Sequence, residues 1–342
     1  MHNTSNIKVS VIVVTFNQED TIAQTLDSIL MQKCNFTIEI QLSDDCSTDS
    51  TSAICTRYAE QYPNIIKYHH NSSNKGVRDN YYDALLRCNG EYIADCAGDD
   101  FWVDPLKLQK EVEILDADPE ISLVHTNWEY LDVTTGKTYP PNRALLHPLF
   151  HQLKAAKGSL VLPILSSRGI PSIHLCTALY RKSIFIKEHK CDSTLFRNPE
   201  FTCEDLQLIT LYANEGAIAF IPDVTLHYRT GHTSISACSS HPKTFITHFG
   251  FTKLYVSLAK EFNKFREQRF QQSLAIDCKF LFAEAFLAFD KTRIDSLLEF
   301  MRINDIPLHI KEKILFSCTR HKICWQAAAI TKKLIHNLKR HK

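Results

Sequence analysis

The chain has 342 residues, 44% of them hydrophobic and 23% charged, with a formal net charge of +1. That is a globular composition, long enough for one large domain with appendages or for two domains. The near-zero charge gives no global attraction to nucleic acid, and no apolar run approaches the roughly 18 residues of a membrane span.

The first predicted element is the strand in KVSVIVVTFN (8–17), β-branched and almost continuously apolar, as in a parallel sheet covered on both faces. EDTIAQTLDSILMQ (19–32) puts Ile22, Leu26, Ile29 and Leu30 on one helical face, with acids at its start where the helix dipole favours them. TIEIQLSDD (37–45) reads as a strand, STDSTSAICTRYAEQY (47–62) as a helix opened by good N-caps, and NIIKYHH (64–70) as a third strand. VRDNYYDALLRC (77–88) is helical, GEYIADC (90–96) a fourth strand, DPLKLQKEVEILDAD (104–118) a helix and ISLVHTNWEYLD (121–132) a fifth strand. This alternation predicts an α/β domain with a mostly parallel sheet between two helical layers.

After residue 128 the pattern weakens. TTGKTYPPNR (134–143) is a turn-rich connection, residues 147–169 suggest short helices, and CTALYRKS (176–183) and AIAFIPDVTLHYR (217–229) read as strands. From Pro242 onward the periodicity is helical, so the expected division is 1–241 and a helical C-terminal region, 242–342. After Glu312 no acid occurs, while Lys313, Arg320, Lys322, Lys332, Lys333, Lys339, Arg340 and Lys342 are basic. Two readings of that segment stay open: a solvated tail, or a basic amphipathic helix on an anionic membrane face, with Ile330, Leu334, Ile335 and Leu338 at helical spacing.

Ligands of such sheets bind at the carboxyl ends of the strands. Those ends carry Thr15, Phe16 and Asn17, then Asp44 and Asp45, then Cys96 to Asp100, so polar and acidic residues collect on one edge. Adjacent Asp99 and Asp100, followed by Phe101 and Trp102, repel each other and are costly to desolvate, which a bound cation would offset. There is no GxGxxG and no GxxxxGK[ST], so neither a dinucleotide-binding loop nor a P-loop is supported. The twelve cysteines are scattered without a CxxC pair, which argues against zinc. The short run Val9–Val14 follows no basic segment, so no secretory signal is read. The thiols are expected to be reduced and the protein cytoplasmic, with the inner membrane face as a peripheral location.

Together VSVIVVTFNQEDTIAQTLDSIL, SDDCSTDST, NKGVRDNYYDALLRCNGEYIADCAGDDFWVDPLKLQKEV and CEDLQL resemble the inverting family 2 glycosyltransferases of GT-A fold, over roughly the first two thirds of the chain. The resemblance implies transfer of a sugar from a nucleoside diphosphate donor, helped by Mg2+ or Mn2+, to a glycan or lipid-linked acceptor in surface polysaccharide or lipopolysaccharide synthesis. Donor binding maps onto Thr15, Phe16, Asn17, Asp44, Asp45, Arg78 and Asp99. The metal maps onto Asp99 and Asp100, with His232 as a further candidate. The catalytic carboxylate maps onto Asp205, beside Glu204, as the base that removes the acceptor hydroxyl proton. Asn80 and Arg229 are further candidates near the diphosphate, and PSIHLCTALYRKS (171–183) is expected to border the acceptor cleft. Each acid has a second reading: Asp44 and Asp45, Asp99 and Asp100, and Glu204 and Asp205 would also serve as helix or turn caps. Many family members carry an acid where this chain has Ala97, which keeps a catalytically silent sugar-nucleotide-binding or scaffold protein as the alternative. A sugar-nucleotide pyrophosphorylase lacks support, because no Gly-rich basic loop follows the first strand.

Overall fold

The computed structural model describes residues 7–142, 147–167, 173–188, 194–231, 240–307, 310–321 and 323–330. The chain divides into two units, Met1–His232 and Thr233–Lys342. In the first, β1 (Val9–Thr15), α1 (Ile22–Leu30), β2 (Ile38–Asp44), α2 (Thr51–Gln61), β3 (Ile66–His70), α3 (Val77–Arg87) and β4 (Tyr92–Asp95) alternate. β5 (Phe101–Trp102), α4 (Lys107–Ala117), β6 (Ile121–Asp132), β7 (Lys137–Tyr139), β8 (Lys154–Ala155) and α5 (Val161–Leu165) follow. β9 (Ala178–Arg181), α6 (Lys182–Glu188), α7 (Asp205–Glu215) and β10 (Ala217–Thr230) complete it.

The strands form one sheet in the order β3-β2-β1-β4-β9-β6-β10-β5, with β7 on β6 and β8 on β10. β1 to β4 are parallel, and Thr15 lies level with Asp44. Beyond β4 the backbone stays bonded to β1, since Gly98 N donates to Val14 O at 3.1 Å. Successive residues of β1 are buried on both faces, which only a sheet covered on both sides allows. Ile22, Leu26 and Ile29 of α1, all fully buried, share one core with Val11, Val13, Ile40 and Leu42. Each such side chain contributes about 1.5–3 kcal/mol on burial.

The sheet departs from simple alternation at its centre. β9 runs antiparallel to both neighbours, pairing Leu179 with Ala94 on one side and with Val124 on the other. β10, parallel to β6, carries the first unit to its last described residues.

The second unit is helical: α8 (His241–Glu261), α9 (Gln268–Leu287), α10 (Lys291–Ile303), α11 (Ile310–Cys318) and helical residues 323–330. Asp290 caps α10 through the Arg293 amide at 3.0 Å. Trp325 lies against Phe286, ring centroids 5.7 Å apart, and donates its indole N–H to the Phe286 carbonyl at 2.9 Å. Ile330 is exposed, whereas Leu334, Ile335 and Leu338 lie outside the described residues.

Candidate functional site

The carboxyl ends of β1, β2 and β4 meet as the sequence suggests, but their acids differ in availability. Asp44 is fully buried and its oxygens are taken locally. Oδ1 accepts from the Ser47 amide at 3.0 Å and hydroxyl at 2.5 Å. Oδ2 accepts from the Ser52 hydroxyl and from Tyr68 at 3.2 Å, with His70 Nδ1 3.0 Å away. Burial works against the charged form, but these bonds prevail and hold the carboxyl below the ordinary range. Asp45, also buried, accepts from Asn71 Nδ2 and the Lys75 amide at 2.9 Å and from the Gly76 amide at 2.8 Å. It thereby fastens the loop that enters α3, where Gly76 has φ +84°.

Thr15 is buried and bonds Gln18 Oε1 at 2.7 Å. Phe16 is exposed at the sheet edge. Asn17, at φ +50°, accepts from the Thr48 amide at 2.8 Å and so ties the β1 and β2 loops together. Asn80 of α3 is buried against the ends of β2 and β3, accepting from Ser43 Oγ at 2.7 Å and Asn71 Nδ2 at 2.8 Å.

The 97–100 turn is clamped by α1. Thr21 and Thr25 donate to Gly98 O at 2.8 and 3.1 Å, and Thr25 also reaches Asp100 O at 2.6 Å. A Cβ at Gly98 would stand 2.3 Å from Gln18 Oε1 and 2.9 Å from Thr15 Oγ1, so a side chain there would force Gln18 or Thr15 to shift. Asp99 is partly exposed and Asp100 buried. Oδ1 of Asp100 accepts from the Arg229 amide at 3.0 Å, joining the turn to β10. Burial first, then the Asp99 charge, push Asp100 well above the ordinary range. The Arg229 guanidinium donates to Asp99 O and Gln24 Oε1 and lies 4.6 Å over the Phe101 ring. Arg229 is therefore part of this turn's scaffold. Among the described residues no group of three or more His, Cys, Asp and Glu is placed to hold a metal. What the turn offers a hard cation is the partly exposed Asp99, which suits an ion that takes one or two protein carboxylates and completes its shell elsewhere. His232 lies outside the described residues.

Glu204 and Asp205 stand at the N-terminus of α7, with no side-chain cap bond from Glu204. Both are enclosed by protein at longer range while part of their surface stays accessible, the setting of groups that line a cleft. Burial, then the Asp205 charge, push Glu204 up to about 8. Asp205 is raised too, by burial, but the Cys203 thiol and Leu206 amide counter this. Burial thus disfavours the ionised form of both acids, and the two titrate as a pair. α3 positions this segment: Tyr82 donates to Glu204 O at 2.6 Å and Arg78 Nη1 to Asn198 O at 2.7 Å. Arg78 Nη2 reaches Asp79 at 3.4 Å, and its buried Nε has no partner.

Asp95, the last residue of β4, escaped sequence reasoning. It sits in an apolar run where periodicity marks it only as one more strand residue. It is buried, and neither oxygen makes a hydrogen bond of good geometry. The Tyr81 and Tyr180 hydroxyls, 2.8 Å from each other, lie close enough to offset part of the burial, which nonetheless raises Asp95 to about 7. Asp205 is near enough to raise it further. Tyr228 on β10 links the two acid groups: after burial, the charges of Asp100, Asp99 and Asp205 all raise its hydroxyl.

An open α/β sheet of this kind takes its ligands at the carboxyl ends of its strands, the edge on which these acids gather. Residues 10–187 match the model of glycosyl transferase family 2. The chain belongs to that family. An uncharacterized Mycobacterium tuberculosis protein is 41% identical over 134 residues, 39% of each chain. The Escherichia coli UDP-Glc:alpha-D-GlcNAc-diphosphoundecaprenol beta-1,3-glucosyltransferase WfaP is 33% identical over 110 residues, 32% of this chain and 42% of its own. The matches thus span less than half the length of these curated relatives. Among solved structures, Staphylococcus aureus TarS 1–349 in complex with UDP-GlcNAc superposes with a TM-score of 0.51 at 17% identity, over 85% of this chain and 89% of its own. The Pyrobaculum calidifontis mannosyltransferase PcManGT, in complex with GDP-Man and Mn2+, gives 0.51 at 15% identity, over 96% and 89%. These two likenesses establish the fold. No helix of the described residues is long and apolar enough to cross a membrane.

Proposed function

We propose that the chain is an inverting glycosyltransferase that moves a sugar from a nucleoside diphosphate to a glycan or lipid-linked acceptor in surface polysaccharide synthesis. The observation that carries this is the Glu204–Asp205 pair, partly accessible at the N-terminus of α7 and fastened to α3 by the Tyr82 hydroxyl on Glu204 O, where a carboxylate can serve as base. Asp205 accepts the proton of the acceptor hydroxyl as that oxygen bonds to the anomeric carbon. The bond from that carbon to the diphosphate breaks with its electron pair, leaving the nucleoside diphosphate. Phe16 at the open edge lies against the nucleotide, while Thr15, Asn17, Asp44 and Asp45 hold the loops that receive it. Arg78 acts by anchoring the 198–205 segment, through the carbonyl of Asn198. When bound, Mg2+ or Mn2+ would neutralise charge on the diphosphate; Asp99 would hold it, with Asp100 fixing the turn behind. The nucleotide-sugars in the TarS and PcManGT complexes, and the UDP-Glc donor in the name of WfaP, support the donor class.

The test is hydrolysis and binding across a nucleotide-sugar panel, with and without Mn2+, in wild type and Asp205→Asn. The variant is expected to lose about 10²–10⁴-fold in transfer and to keep donor affinity within about twofold. Undiminished transfer by the variant refutes the assignment of the base. Failure of wild type to bind any donor returns the chain to a silent scaffold role.

We also propose a peripheral contact with an anionic membrane through the C-terminal residues. Ile314, Ile323 and Ile330 are exposed, and the sequence after Glu312 holds eight Lys and Arg and no acid. Sedimentation with phosphatidylglycerol vesicles, but not with neutral ones, is the expected result; equal recovery with both would refute it.

A further inference from the structure

An aromatic run crosses the sheet on the side of β6 and β10. Tyr130 on β6 stands opposite Tyr228 on β10 and opposite Tyr139 on β7, so the three phenols share one face across three strands. Their ring centroids are 5.8 and 5.3 Å apart. Trp128, two residues before Tyr130, falls on the same face. His174 closes the row, 4.7 Å from both Trp128 and Tyr228. Exposure grows outward, from 3% at Trp128 to 46% at Tyr139.

Packing alone would explain a row of rings, since aromatic cross-strand pairs stabilise sheets. It does not explain the polar atoms inside the row. Trp128 Nε1 and His174 Nε2 are both sealed from solvent and neither makes a hydrogen bond. The Tyr130 hydroxyl is close enough to feel the indole N–H, but without hydrogen-bond geometry. Burial lowers His174 to about 4, so its imidazole is neutral at physiological pH and has a nitrogen able to accept. The inner end therefore presents one unused donor and one ring able to accept. A ligand hydroxyl satisfies both kinds of group, because it donates and accepts. Apolar ring faces joined to a few fixed polar groups are the usual make-up of a small-molecule site. A saccharide fits this pattern, with C–H faces for the rings and hydroxyls for the edges. The location agrees: Tyr228 directly precedes Arg229, whose amide bonds Asp100 Oδ1 at 3.0 Å, and Cys176, two residues after His174, accepts from the Ala97 amide at 3.3 Å, so the inner end borders the 97–100 turn.

We propose that this row is the acceptor track and that the acceptor is an oligosaccharide of at least two sugar units. Trp128, His174 and Tyr228 hold the unit whose hydroxyl reacts, and Tyr130 and Tyr139 stack the next one. The inference rests on the transferase reading above and adds the acceptor's class and seat.

The experiment measures tryptophan fluorescence on titrating full-length wild type, Tyr139→Ala and Tyr139→Phe with glucose and N-acetylglucosamine mono-, di- and tetrasaccharides, alongside donor hydrolysis by each protein. Wild type is expected to bind a di- or tetrasaccharide about tenfold more tightly than the monosaccharide. Tyr139→Ala is expected to lose that length advantage and Tyr139→Phe to keep it. A purely structural ring would lower the melting temperature of Tyr139→Ala and leave the length dependence as it was. Equal length dependence in wild type and Tyr139→Ala, or no saccharide binding by wild type, overturns the track. If donor hydrolysis persists in that case, only the track fails; if wild type shows no donor hydrolysis, the transferase reading fails with it.

Discussion

Asp95→Asn isolates one buried charge. Asp95 is 4% exposed, both its oxygens lack a well-formed hydrogen bond, and burial moves it from the ordinary 3.8 to about 7. Its folded value is above its unfolded one, so the folded protein binds the extra proton between them. Stability is therefore greater at acid pH and falls as pH rises through that window. The shift of about three units corresponds to at most about 4 kcal/mol, of which about 2–3 kcal/mol is lost between about pH 5 and about pH 8. The variant removes the titration and keeps the shape, with an amide able to bond the Tyr81 and Tyr180 hydroxyls. Urea unfolding of both proteins at the two pH values gives a double difference in which Glu111, pushed up to about 7, largely cancels, while Glu204, raised in part by the Asp95 charge, adds to the Asp95 effect in the same direction. Asn is expected to be the more stable form at the higher pH and to have lost much of its advantage at the lower. Parallel pH dependences for the two proteins would refute the argument, because Asp95 would then be ionised in the fold at little expense.

Three further expectations concern the frame of the site. Lys107 and Glu111 form a fully buried pair at 2.8 Å, with Lys107 4.6 Å over Trp102, so Lys107→Met leaves an unpaired acid and should cost about 3–5 kcal/mol in chemical denaturation. The double variant Lys107→Met with Glu111→Leu should recover most of that loss; no recovery would place the loss in packing instead. Asp44 has a folded value below its unfolded one, so its stabilisation is present above the ordinary carboxylate range of about 4 and is lost as pH falls below it. Asp44→Asn should therefore flatten the acid limb of a stability–pH curve, and an unchanged limb would contradict the hydrogen-bond account. Gly98→Ala forces Thr15 or Gln18 aside and should weaken nucleotide-sugar binding severalfold in calorimetry, with a smaller change in melting temperature; unaltered affinity would mean that the 97–100 turn does not touch the donor.

The sequence by itself determined the α/β alternation and the gathering of Thr15 to Asn17, Asp44, Asp45 and Asp99 at one sheet edge. Hydrophobic period and strand ends are local signals, and a parallel sheet places all its carboxyl ends together. The ordered motifs also pointed to the family that the match over residues 10–187 establishes. Only the tertiary structure decided which groups face one another. The antiparallel entry of β9 between β4 and β6 brings Tyr180 beside Asp95, although 85 residues of chain separate them. Asp44 and Asp45 look alike in sequence, but one is held by the α2 entry and the other by the α3 entry. The bond from the Arg229 amide to Asp100 and the register of Tyr139, Tyr130 and Tyr228 are likewise non-local pairings. Periodicity tells which face a strand residue takes; it carries no information on which distant strand lies alongside, and that adjacency sets the charges, rings and orphaned polar atoms of the site.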